Sequence, residues 1–373
     1  LNVPTNVNWP DGLDDQRFLS EYWQKKPLLI RQAFTNFETP ISADELAGLS
    51  LEEDSTPRLI TCDEHGHYHL ESGPFDEARF ALLTDNNWSL LVTDVEKHLP
   101  ELGEYLRPFQ FIPNWRIDDL MISYAPRGAS VGAHVDEYDV FLLQASGTRQ
   151  WMIDSSHAPD VTLVADANLK LLANFIATES YDLEPGDMLY LPPGMPHHGI
   201  AVSDNCTTWS VGFRAPMVSD IIHSFAEMIA DKFENQRYCD PHLKVCEPGE
   251  LDEQSLMAFK TLWEQATQLD DSELANIAGR LLTTPAIDVE REQFSQQQKL
   301  NMSWRKHSFS RFAYYKHGNT TTLYVDAEVL VCSDKLAKAL CNNQSLSADE
   351  LNADDTKVLL NLVELGCLVP EDT

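Results

Sequence analysis

Basic residues are scarce in this chain. Of 373 residues, 27 are Lys or Arg and 59 are Asp or Glu, giving a net charge of −32. A surface of that sign repels phosphate backbones, which excludes general nucleic-acid coating and docking on an anionic membrane. Two readings stay open: a basic partner drawn in by the summed field, or the ordinary acidity of a soluble protein. Long apolar runs are also missing. No stretch approaches the ~18 residues a membrane-spanning helix needs. Leu1-Asn2-Val3-Pro4-Thr5 has neither the charged nor the apolar region of a secretory signal. The seven cysteines are odd in number and scattered, which suits a reduced, cytoplasmic compartment. No repeat of fixed period and no low-complexity tract is visible. What the chain does have is apolar material: 43% hydrophobic against 23% charged residues, enough to bury a core. Its length points to two or three domains.

The texture changes twice along the chain. The first part opens with helix-like and polar segments, and Ser42-Ala43-Asp44-Glu45 is a capping-box pattern that predicts a helix start. From about Leu59 to Arg214, short apolar or alternating runs are punctuated by Ala125-Pro126-Arg127-Gly128, Ser146-Gly147, Glu184-Pro185-Gly186-Asp187 and Pro192-Pro193-Gly194. That pattern predicts an all-β sandwich or barrel. After Ala215-Pro216 the apolar residues recur at helical spacing, as in Ile221, Ile222, Phe225, Met228 and Ile229, predicting a helical block over 217–285. Pro285 and Gln296-Gln297-Gln298 mark a boundary. The remainder mixes a strand-like Thr321-Thr322-Leu323-Tyr324-Val325 with a late helix, announced by a second capping-box match at Ser347-Ala348-Asp349-Glu350.

The chemistry-bearing residues lie between Asp119 and Arg214. His134 and Asp136 are two apart, which on a strand puts an imidazole and a carboxylate on one face. Met188–Leu191 followed by Pro192-Pro193-Gly194-Met195-Pro196-His197 predicts a strand, a tight turn and a histidine able to return beside that pair. Two imidazoles and one carboxylate leave open positions on a metal, the arrangement that suits non-haem Fe(II) oxygenases. His-x-Asp alone is a weak signal, since any acidic strand can carry it. Val140–Gln144, a turn and Gly147–Trp151 predict a hairpin with Arg149 on the returning strand. A fixed guanidinium can bind a carboxylate bidentately, but without context a solvent-facing strand arginine is the stronger reading.

Five stretches together carry a family resemblance: Tyr22–Arg31, Trp115–Ser123, His134–Phe141, Leu183–His197 and Ser210–Pro216. The chain resembles the JmjC-domain 2-oxoglutarate oxygenases and, within them, the bacterial ribosomal-protein hydroxylases of the YcfD/RoxA type. The resemblance implies a mainly β catalytic domain over residues 1–216, a double-stranded β-helix of the JmjC/cupin-like jelly-roll kind. It further implies an α-helical dimerisation region over 217–290 and a winged-helix-like domain over 291–373, hence a homodimer. It implies Fe(II) held by His134, Asp136 and His197, with 2-oxoglutarate and O2 as cosubstrates. The distal carboxylate of 2-oxoglutarate would meet Arg149, with Ser123 as a second donor. The substrate it implies is an arginine of ribosomal protein uL16, a basic protein that fits the acidic balance. Asp118, Asp119, Tyr138 and Asp139 would be contacts for that arginine, although each acid has the alternative of capping a turn or facing solvent.

Other groupings weigh less. His65-x-His67-x-His69 puts three imidazoles on one face of a hairpin, with no carboxylate evident to complete a mixed ligand set. Cys239, His242 and Cys246 lack a fourth ligand and the tighter spacing of structural zinc sites. His198 competes with His197, but the family pattern sets the ligand directly after proline. Trp151 and Trp209 read as core. The acids Asp349, Glu350, Asp354 and Asp355 crowd the late helix, which argues against DNA binding there. Two alternatives to the uL16 hydroxylase remain: another cupin-type metalloenzyme or a JmjC hydroxylase with a different protein substrate (histidine hydroxylation), and a binding protein with a degenerate site.

Overall fold

The computed structural model describes residues 3–165, 168–285, 294, 302–342, 344–348 and 351–371. These divide into two compact units, Leu1–Ala215 and Pro216–Thr373. The expected boundary near residue 290, like Gln296–Gln298, lies outside the described residues.

The first unit is built from two antiparallel sheets. Its strands are β1 (Leu28–Ile30), β2 (Pro57–Cys62), β3 (Tyr68–Ser72), β4 (Trp88–Val92), β5 (Ile117–Ala125), β6 (Asp139–Ser146), β7 (Arg149–Ile153), β8 (Glu179–Leu183), β9 (Met188–Leu191), β10 (His197–Ala201) and β11 (Cys206–Phe213). The large sheet runs β1-β9-β6-β11-β5-β4-β2-β3 and the small one β10-β7-β8. Strand β6 shows why a run such as Val140-Phe141-Leu142-Leu143 is apolar throughout. Phe141, Leu143 and Ala145 enter the main core, together with Phe18, Phe109, Trp209 and Phe213. Val140 and Leu142 point the other way and pack on Trp151 and Ile153 of the small sheet. A strand buried on both faces needs no alternation in its sequence. The space between the two sheets is therefore floored by alternate residues of β5, β6 and β11 and roofed by those of β7 and β10.

Local sequence signals explain the connections. Ser42 caps the helix Ala43–Leu49 with a reciprocal Glu45 contact, the expected capping box. Gly186 sits at φ +91°, and a Cβ there would lie 2.4 Å from the Phe34 carbonyl oxygen, so the Pro-Gly-Asp turn before β9 requires glycine.

In the second unit, helices span Val218–Lys232, Glu253–Ala266 and Asp271–Thr283, within the block read from periodicity. The strand-like 321–325 segment lies in the strand Thr320–Val325. The late helix starts later than its sequence signal. It runs Ala353–Glu364 and is capped by Asn352, while Ser347 belongs to a short strand. Asp349 and Glu350 lie outside the described residues. Asn352 offers its side-chain oxygen to the N–H groups of Asp354 and Asp355, a cap that outcompetes the upstream match. Among the described residues, no helix is long and apolar enough to cross a membrane.

Candidate active site

His134, Asp136 and His197 meet in the first unit, but not by the strand alternation that the spacing suggested. His134 and Asp136 lie in the loop after β5, outside any named strand. Two reciprocal backbone hydrogen bonds, His134 N to His197 O (3.0 Å) and His197 N to His134 O (2.9 Å), clamp that loop to the start of β10. Gly194 N donates to Asp136 O at 2.7 Å, so the Pro-Pro-Gly turn fixes the loop from the other side.

The side chains are oriented as a ligand set requires. Nδ1 of His134 lies 3.0 Å from Gly132 O, and Nδ1 of His197 lies 2.9 Å from Met195 O. A carbonyl only accepts, so Nδ1 carries the proton in each ring and Nε2 presents its lone pair. The two Nε2 atoms lie 3.9 Å and 3.6 Å from the two Asp136 carboxylate oxygens. One ligand atom from each residue falls within 4.8 Å of the others, and among the described residues this is the one such cluster. Burial, followed by the neighbouring His134, pushes the His197 pKa down, which favours the neutral ring a ligand must present. His198 turns away and approaches Ser130 Oγ at 2.9 Å.

Arg149 is the other informative side chain. It opens β7, and alternation puts Arg149, Trp151 and Ile153 on the face that roofs the inter-sheet space. It is only 2% exposed, yet neither its Nε nor its Nη2 has a hydrogen-bond partner. A buried guanidinium left in that state is costly unless an anion completes it. The Arg149 guanidinium sits 5.7 Å from the centre of the Trp151 ring, and the same ring lies 5.7 Å from His197. Trp151 is thus core, as read, and also the wall linking the arginine to the metal-ligand cluster. Gly199 makes room for it: a Cβ there would fall 2.6 Å from the indole. The sequence reading missed Gly199, although its place two residues after His197 on the same strand face was a usable signal. Ser123 faces the same space from β5, buried, with its hydroxyl donating to Thr208 O at a long 3.4 Å.

The four proposed substrate contacts separate. Asp119 and Tyr138 flank Gly212: the point where a Cβ would sit is 2.8 Å from Asp119 Oδ1 and 3.7 Å from the Tyr138 ring. Burial, then Asp118 and Asp94, raise the Asp119 pKa to about 7. Burial, then Asp136 and Asp119, push the Tyr138 phenol upward. Asp118 is on the alternate face and pairs with Arg214 at 3.8 Å. Asp139 is a correction. Its carboxylate is fully buried and accepts from Tyr190 Oη (2.6 Å), Gln24 Nε2 (2.9 Å) and Arg116 Nη2 (3.3 Å). It shares the β6 face of Phe141 and Leu143, turned away from the inter-sheet space, so it structures the core and is not free to meet a substrate. Arg58 was not foreseen either. Its Nη2 lies 3.2 Å from Met121 Sδ, and its charge draws down the Asp119 and Tyr138 pKa values. Nothing in the sequence around it set it apart.

Comparison with known proteins agrees with this geometry. A JmjC domain model matches residues 104–221. An AraC-like ligand-binding-domain model matches 175–282, a span that crosses the division between the two units and so follows no structural domain. The chain is 40% identical over 247 residues to the ribosomal protein uL16 3-hydroxylase of Escherichia coli K12, covering 65% of this chain and 62% of that protein. It is 34% identical over 269 residues to a probable ribosomal oxygenase of Haemophilus influenzae, covering 68% and 64%. These matches span a little under two thirds of each relative's length. Among solved structures, E. coli YcfD in complex with cobalt and 2-oxoglutarate superposes with a TM-score of 0.83 at 28% identity, covering 98% of this chain and 99% of that one. The His134–Asp136–His197 cluster lies inside the span that matches the JmjC domain, and the chain shares its fold with the E. coli ribosomal oxygenase YcfD.

Proposed function

We propose that this protein is an Fe(II)- and 2-oxoglutarate-dependent hydroxylase that acts on an arginine of ribosomal protein uL16. The observation that carries the reading is the buried, half-unpartnered Arg149 guanidinium beside a two-histidine, one-carboxylate cluster. A lone metal would leave that cation unanswered; a dicarboxylate answers it. The named substrate of the E. coli relative and the cobalt and 2-oxoglutarate of its structural counterpart support the same reading.

Each group has a defined task. Nε2 of His134, Nε2 of His197 and a carboxylate oxygen of Asp136 would hold the iron, with the Nδ1–H to carbonyl bonds fixing both rings. Arg149 would grip the distal carboxylate of 2-oxoglutarate through its free N–H groups, with Ser123 as a second donor. When bound, Fe(II) and 2-oxoglutarate supply the oxidising chemistry: one oxygen atom of O2 goes to succinate, released with carbon dioxide, and the other to the substrate carbon as hydroxyl. The protein's remaining work is to orient the target and keep water out. Asp119 and Tyr138 would receive the substrate guanidinium.

The substrate also suggests a cytoplasmic setting, and the acidic balance favours a basic protein over nucleic acid as the partner. In the second unit, Met217, Ile222, Met257, Phe259 and Trp263 are all more than half exposed, which supports a helical dimerisation surface. The strands and helices after residue 302 would form the winged-helix-like end, serving as an interaction module. The decisive experiment is mass spectrometry of uL16 incubated with the enzyme, Fe(II), 2-oxoglutarate and O2. One added oxygen on a single arginine is expected. Addition on histidine, or on no uL16 residue, would reject the substrate, and absence of 2-oxoglutarate turnover would reject the class.

A further inference from the structure

The β2–β3 hairpin brings imidazoles and a carboxylate together a second time, with none of the residues of the cluster already described. The sequence reading found three histidines there and no carboxylate; the structure supplies one. Asp63 Oδ2 lies 3.2 Å from His67 Nδ1 and 3.6 Å from His69 Nε2. Its other oxygen is held by the backbone N–H groups of His65 and His67, both at 2.8 Å. Those backbone bonds lower the Asp63 pKa to about 2, so the group is an anion throughout the physiological range. Strand alternation accounts for the facing. Tyr68 turns inward beside Gly132, and its neighbours His67 and His69 turn outward together. His65 approaches Glu64 instead, at 3.7 Å.

We propose that Asp63, His67 and His69 form a second, surface metal site for a divalent ion of the Zn(II), Ni(II) or Cu(II) group. Two imidazoles and one oxygen suit these ions better than Fe(II), by ligand type and by the usual affinity order of the first-row metals. The carboxylate is the hub of the arrangement. Both rings reach it, and they are 73% and 61% exposed, so they close on an ion by side-chain rotation without disturbing any packing. The carboxylate does not move, because the turn already holds it. Imidazole ligands must give their lone pairs to the ion, so occupancy falls in acid. The site is independent of the iron cluster and does not require the activity proposed above.

The test is a Ni(II) titration of the full-length protein carrying His134→Ala and Asp136→Ala, which removes the iron cluster. Calorimetry is expected to show one remaining equivalent. His67→Ala and His69→Ala should each weaken it at least tenfold. Asp63→Asn should do the same while keeping the oxygen that accepts from the turn, with circular dichroism verifying that the fold is intact. Ring signals of His67 and His69 should be the first to broaden as Ni(II) is added. No remaining equivalent would overturn the proposal. So would a remaining equivalent that survives all three substitutions, which would make it an adventitious ion only, held elsewhere, as at Cys239, His242 and Cys246.

Discussion

Replacing Arg149 by methionine tests the functional reading from two directions at once. Methionine preserves much of the length of the side chain and removes the buried charge. In the protein without cosubstrate, Arg149 is 2% exposed with Nε and Nη2 unsatisfied. Exchanging a buried ion for an apolar group of similar size is commonly neutral or stabilising, by about 1–4 kcal/mol. At roughly 2–4 °C per kcal/mol for a domain of this size, the Arg149→Met protein should melt no lower than wild type and several degrees higher if the full gain is realised. Binding of 2-oxoglutarate should move the opposite way. Leaving a buried carboxylate without its cation costs about 3–5 kcal/mol, which is a loss of roughly 100- to 4,000-fold in affinity. Differential scanning fluorimetry gives the first quantity. Anaerobic calorimetry with Mn(II) in place of iron gives the second, without any dependence on turnover. Wild-type protein should gain in melting temperature on adding 2-oxoglutarate and the variant should not. If the variant binds 2-oxoglutarate within tenfold of wild type, Arg149 is not the carboxylate receptor. If it instead melts well below wild type, the arginine is satisfied in the resting protein and the argument from its unpaired N–H groups fails.

Three further outcomes follow from single contacts. Gly199→Ala places a methyl group 2.6 Å from the Trp151 ring, and overpacking of this kind costs about 1–3 kcal/mol; urea unfolding should show that loss together with altered tryptophan fluorescence, and an unchanged midpoint would mean the indole has room to yield. Asp139→Asn strips the buried charge that Arg116 and Tyr190 share, so stability should drop by about 3–5 kcal/mol, while the KM for a uL16 peptide stays put in the folded fraction; a selective rise in KM would return Asp139 to the substrate site. Glu96 is buried, and desolvation pushes its pKa up to about 8 against the pull of Lys97. Because the folded state holds that proton more tightly than the unfolded chain, its contribution to stability is complete in acid and is lost as pH rises from about 4.5 through 8; Glu96→Gln should flatten that part of the stability profile between pH 5 and 9, and parallel profiles for the two proteins would refute the assignment.

Much of this molecule is written in its sequence at short range. The Ser42–Glu45 capping box, the Pro-Gly-Asp turn before β9 and the helical spacing after Ala215 all state local preferences that the tertiary structure does not override. Motif identity was legible as well: His134, Asp136 and His197 come together although the geometric reason offered for the first two was wrong. A loop clamped by two backbone hydrogen bonds, not a strand face, brings them into line. What the sequence hides is the direction in which a polar residue points once strands pair. Asp118, Asp119 and Asp139 look alike as acids near a motif. Pairing of β5 and β6 with β11 sends Asp119 into the inter-sheet space, Asp118 to the opposite face beside Arg214 and Asp139 into the core. The late helix shows the same limit at smaller scale: the capping pattern at Ser347 is legible in the sequence, but the folded chain starts the helix at Ala353 with Asn352 as its cap.

The same consideration explains why Arg149 carries more weight than the metal ligands. Histidines lie near a carboxylate in two places in the first unit, as a full cluster of ligand atoms at His134, Asp136 and His197 and as rings set around Asp63 on the β2–β3 hairpin, so proximity of such groups points to metal affinity and not to a reaction. A charged guanidinium under cover without partners is a different kind of fact. Folding alone gives no reason to keep it, because apolar side chains of similar size would pack there at lower cost. The proposed function would account for its retention by a ligand that arrives after folding with a carboxylate. That cation lies two residues before Trp151 on β7, and the Trp151 ring lies 5.7 Å from His197, so on the proposed reading the ligand would span from the arginine to the His134–Asp136–His197 cluster and be selected by length as well as by charge. A series of dicarboxylates differing by single methylenes therefore provides the sharpest check. Affinity in the Mn(II) complex should peak at the five-carbon 2-oxo diacid and fall for its four- and six-carbon neighbours. A flat series would mean that Arg149 attracts anions without measuring them.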